Sequence, residues 1–156
     1  MLASEHPELF SFAVFLSAWV NPKPQTVQMY CALAAVSSKM LHWGWLVRIQ
    51  GKYWNYTEDQ AKYMAEYSKQ ITPQVYRSFF ANTLDLSALP SYAAVSIPMY
   101  AICGSMEVKD MKTSLDLLAG NPHCKPMVLP KANHDFPMRN GDELNKILAD
   151  IFSAIE

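Results

Sequence analysis

The chain has 156 residues, 51% of them apolar and 17% charged, and its 13 basic and 14 acidic side chains leave a formal net charge of -1. That size and composition suit one soluble globular domain. Lysines and arginines are spread along the chain, which excludes an electrostatic footprint for nucleic acid or an acidic membrane and leaves small molecules or another protein as partners.

Residues 1–7 read as the end of a helix, because Leu2 and Ala3 favour helix and His6-Pro7 force the chain out of it. The pattern opens without an N-cap, so an upstream segment is expected. Residues 10–19 are rich in aromatic and β-branched side chains, which predicts a strand buried on both faces of a parallel sheet. Asn21-Pro22-Lys23-Pro24 ends it. The apolar run over 9–20 is interrupted by Ser11 and Ser17, is too short to span a bilayer and follows no basic segment, so neither a membrane anchor nor a signal peptide is expected.

From residue 25 to about 92 the pattern changes to helical spacing, through Met29, Tyr30, Leu33, Val36 and Met40 and again through Tyr63, Met64 and Tyr67. Three to five short helices are expected there. Residues 97–103 predict a second apolar strand ending at Gly104, followed by a helix over 109–118 that Ala119-Gly120-Asn121-Pro122 stops. Residues 124–129 predict a third strand, weakened by Pro126, and 142–155 an amphipathic final helix through Leu144, Ile147, Leu148, Ile151 and Phe152. Strand alternating with helix argues for parallel α/β packing, with a small sheet of about three strands and flanking helices.

Two residues stand where such a fold places chemistry. Glu107, in Gly104-Ser105-Met106-Glu107, follows the second strand directly. His134, in Ala132-Asn133-His134-Asp135-Phe136-Pro137, follows the third. Open α/β sheets bind ligands at the C-terminal ends of their strands, so parallel neighbours would bring this acid and this histidine to one edge. Asp110 is a rival acid, but it lies where the next helix starts and suits capping better; Asp135 is expected to cap a turn.

A strand ending in Gly-x-x-Glu, a helix, and a strand leading to a histidine before the last helix resemble the C-terminal signature of the α/β-hydrolases. Residues 1–10 are similar to the helix that follows that family's nucleophile elbow, and 25–92 fall where it carries a helical cap. The resemblance spans the whole chain, yet the Gly-x-Ser-x-Gly elbow, the oxyanion-hole loop and the first strands have no counterpart here. It implies one hydrolase-like domain over 1–156, the C-terminal portion of a serine hydrolase or esterase-like enzyme. Glu107 would be the triad acid, His134 the triad histidine, and the serine would come from elsewhere.

The implied partners are a small acyl or ester substrate and either the missing N-terminal half or a second copy, since a three-stranded remnant leaves an open edge. No cofactor is implied. Trp43, Trp45 and Trp54, with Tyr53 and Tyr56, form an aromatic cluster that suits an acyl pocket as well as it suits core packing. The competing reading is a ligand-binding or interaction module that keeps the scaffold without its chemistry. Cys31, Cys103 and Cys124 match neither a zinc spacing nor a disulfide framework and are expected as buried free thiols in a cytoplasmic protein. His6, His42 and His123 lack metal-ligand spacing, and Met29, Met40, Met64 and Met99 are expected to fill gaps in the core.

Overall fold

The computed structural model describes residues 2–53 and 56–154. They divide into a sheet unit, up to Asn21 and again from Leu84, and a helical unit, Pro22–Thr83. The chain opens with α1 (Leu2–Glu5) and a 3-10 turn over Pro7–Leu9, because Pro7 cannot extend α1 but can begin a new turn. Strand β1 covers only Ala13–Leu16, shorter than the expected 10–19, and it is half-buried instead of buried on both faces. Two features account for the difference. β1 has β2 as its only strand neighbour among the described residues, and Ser17 takes φ 46, which breaks the extended backbone.

The helical unit holds α2 (Pro24–Met40), α3 (Gly44–Tyr53), α4 (Glu58–Tyr67) and α5 (Pro73–Ala81). Its starts are written locally. Pro24 and Pro73 occupy first-turn positions whose amides lack helical partners in any case. Thr57 and Gln60 form a reciprocal capping box, the Gln60 amide donating to Thr57 Oγ1 at 3.2 Å and the Thr57 amide to Gln60 Oε1 at 2.9 Å. α2 packs on α5, with the Tyr30 and Phe80 rings 5.0 Å apart. Met29 and Met40 lie on exposed faces and do not fill gaps as expected. Cys31, expected buried, is partly exposed, its thiol 3.7 Å from the Arg77 carbonyl.

Residues 84–97, beyond the helical unit, pack with the sheet: Leu86, Leu89, Tyr92 and Val95 join Met99, Ala101 and Cys103 of β2 (Met99–Gly104) in one core. α6 (Lys109–Leu118) adds Leu115 and Leu118 to that core. β3 (Cys124–Leu129) then forms as expected, with Pro126 tolerated because β3 is an edge strand. On the opposite face Ile102 and Leu129 pack with Ala132, with Phe136 of α7 (Phe136–Arg139) and with Leu144 of α8 (Gly141–Ser153).

The sheet order is β1-β2-β3 and both pairings are parallel. β2 sits between the other two strands and buries all six of its residues, which explains its unbroken apolar sequence. The register aligns Leu16 with Ile102, and Gly104 with Leu129, so all three strands end along one edge. Among the described residues no helix is long and apolar enough to cross a membrane.

Candidate active site

The loops after β2 and β3 are sewn together by their backbones. The Ser105 amide donates to the Leu129 carbonyl at 2.8 Å and the Met106 amide to the Ala132 carbonyl at 2.9 Å. The Lys131 amide donates to Ser105 Oγ at 2.8 Å, with Lys131 itself at φ 56. Gly104 permits this approach: a Cβ at that position would lie 2.3 Å from the Ala132 oxygen. Just beyond, Phe136 is fully buried and anchors α7, which fixes the segment carrying His134 from its other end.

The result is a short contact between the two residues singled out in the sequence. His134 Nδ1 lies 3.1 Å from Glu107 Oε2. The two differ in exposure, the histidine side chain being 66% exposed and the glutamate 1%. Nε2 is left without a hydrogen-bond partner among the described residues.

Glu107 has two further donors. The Gly104 amide gives a hydrogen bond to Oε1 at 2.8 Å, and Ser17 Oγ gives another to the same oxygen at 2.5 Å. Burial pushes the carboxyl upward, but the bonds from Ser17, the Gly104 amide and His134 outweigh it and hold Glu107 below the usual glutamate range. It is therefore an anion at neutral pH. Burial and the neighbouring Glu107 charge push the Cys103 thiol up to about 11, so Cys103 is protonated there and is no nucleophile.

Ser17 is the residue that the sequence reading missed. It registered only as an interruption in an apolar run. The signal was present, since Ser17 follows β1 as Glu107 follows β2 and His134 follows β3: a polar residue at the C-terminal end of a parallel strand.

The other candidates stand elsewhere. Asp110 lies in the first turn of α6, whose N-cap is Val108, so it favours the helix through its charge and is not the cap residue. Asp135 occupies the N-cap position of α7 without making a capping bond, and its carboxylate pairs with Arg139 Nε at 3.5 Å. Trp43 and Trp45 belong to the helical unit, their rings nearly parallel at 6.1 Å and about half exposed. Trp54 lies outside the described residues. Among the described residues no group of three or more histidine, cysteine or acidic side chains could hold a metal ion.

A buried carboxylate that orients an imidazole, with the far nitrogen open, can drive proton transfer to or from a group placed at Nε2.

No protein-family model and no curated protein matches the sequence. Solved structures do match in fold. A thermophilic esterase from Thermogutta terrifontis superposes with a TM-score of 0.68 at 12% identity, over 98% of this chain and 59% of that one. Rv0554 from Mycobacterium tuberculosis gives 0.69 at 18% identity, over 99% and 61%. MenH from S. aureus gives 0.62 at 11%, over 94% and 60%. These neighbours are α/β-hydrolases, and the chain carries part of that fold, spanning about three fifths of their length.

Proposed function

We propose that the chain is the C-terminal portion of a serine hydrolase, contributing the acid Glu107 and the histidine Glu107 orients, His134. The observation that carries this reading is the 3.1 Å contact from His134 Nδ1 to a buried, ionised Glu107, with Nε2 left open. In that arrangement Nδ1 carries the proton given to Glu107, and Nε2 is the base. A serine hydroxyl placed at Nε2 loses its proton as it attacks an acyl carbon, and His134 returns the proton to the leaving group. The imidazolium formed between these steps is stabilised by the Glu107 charge.

The nucleophile and the oxyanion donors come from a segment outside the 156 residues, joined to this chain or supplied by a partner. The helical unit Pro22–Thr83 corresponds in chain order to the helical cap of such hydrolases, and the substrate is a small ester or related acyl compound. A 240 Å³ apolar cavity in the sheet unit, lined in part by Phe15, Trp19, Leu86 and Tyr92, favours a second reading in which the scaffold binds an apolar ligand without chemistry.

The test is p-nitrophenyl ester turnover by the longest natural product that contains these residues. Turnover that falls at least about a thousandfold in His134→Ala, and substantially in Glu107→Gln, is the expected result. Activity indifferent to both substitutions would remove these residues from the chemistry, and reversible ligand binding without turnover would favour the second reading.

A further inference from the structure

Three strand ends converge on one carboxylate, and only two of them belong to the acid and histidine segments. We infer that Ser17, at the end of β1, is a positioning residue that locks the Glu107 carboxylate in the rotamer that presents Oε2 to His134. This inference rests on the pairing of Glu107 with His134 proposed above.

A glutamate has three side-chain torsions, one more than an aspartate, and reaches the histidine reproducibly only if those torsions are fixed. The Gly104 amide fixes one oxygen from within the same loop, at 2.8 Å. Ser17 Oγ donates to that same oxygen from a different strand at 2.5 Å, with both residues buried. With two donors on Oε1, only Oε2 remains for the imidazole. The backbone supports the same reading. Ser17 sits at φ 46, a region costly for a residue with a Cβ, while its amide still continues the ladder by donating to the Ile102 carbonyl at 2.8 Å. A glycine would meet the backbone requirement at lower cost; what serine adds is the hydroxyl.

Ser17 is not the nucleophile of this site. Its proton is given to a carboxylate, whereas a serine nucleophile gives its proton to the imidazole.

The test is nuclear magnetic resonance on the longest natural product that contains these residues, labelled with 15N-histidine and 13C-glutamate, comparing wild type with Ser17→Gly, Ser17→Ala and Glu107→Gln. Glycine suits φ 46, so Ser17→Gly removes the hydroxyl without adding strain, and alanine provides a second deletion with the Cβ kept. The expected result is that both Ser17 variants lose the ordered Nδ1–H signal of His134, move its ring nitrogen shifts toward those of Glu107→Gln, and raise the pH at which the Glu107 carboxyl titrates. If Glu107→Gln changes the His134 signals while both Ser17 variants match wild type, the positioning role is overturned and the pair stands. If Glu107→Gln also leaves His134 unchanged, the pair itself is overturned.

Discussion

A carboxylate loses its hydration on burial and stays ionised only where fixed donors replace the water. Glu107 has three such donors, from residues 17, 104 and 134, and its titration falls below the ordinary range. Because the folded state favours the charged form, its stabilising effect is complete above the unfolded glutamate range and is lost as pH falls through the folded-state value. Urea denaturation should therefore find Glu107→Gln about 1 to 3 kcal/mol less stable than wild type at pH 7, with the gap closing on acidification. A gap independent of pH would mean that the carboxylate charge is not what the three donors recognise. Gly104 should be equally sensitive for a steric reason. Its missing Cβ makes room for the Ala132 carbonyl, so Gly104→Ala should cost about 3 kcal/mol and separate His134 from Glu107, read by denaturation and by loss of the His134 Nδ1–H signal. The contact between Glu107 and His134 was legible in the sequence because each residue follows a strand and the two strands were expected as parallel neighbours. Ser17 was not, because its partner lies 90 positions away, and a serine within an aromatic run looks like an imperfection.

At the scale of elements, legibility followed burial. β2 is enclosed on both faces, so every residue in it had to be apolar, and its end at Gly104 was readable. β3 survived its proline because an edge strand has an unpaired side. β1 was overestimated because the apolar character of residues 10–19 reflects packing against neighbours as well as strand pairing. Phe12, for example, lies before the strand and meets the Phe152 ring edge-on at 5.1 Å. Phe136 shows how a core residue positions a site residue, since it is fully buried two positions after His134. Phe136→Ala should lower stability by about 3 to 5 kcal/mol in chemical denaturation and broaden the His134 resonances. A cost below about 1 kcal/mol would mean that α7 is not the anchor of that loop.

For the whole molecule, the sheet is the element with unfinished business. Among the described residues β1 is paired on one side only, and Leu16 at its end is 38% exposed. The solved structures that share the fold are longer by about two fifths of their own chains. The 156-residue chain in isolation should therefore self-associate, and sedimentation velocity at micromolar concentration should show dimers or larger species. A sharp monomer boundary would mean that the β1 edge is already protected.

The most direct test of the central claim is fluorophosphonate labelling, mapped by mass spectrometry, of both the 156-residue chain and the longest natural product that contains it. The expected result is no labelled serine among residues 1–156, and in the longer product one labelled serine outside them whose modification is lost in His134→Ala. A labelled serine within the 156 residues, or labelling indifferent to His134, would contradict the claim that this chain supplies the acid and histidine to a nucleophile held elsewhere.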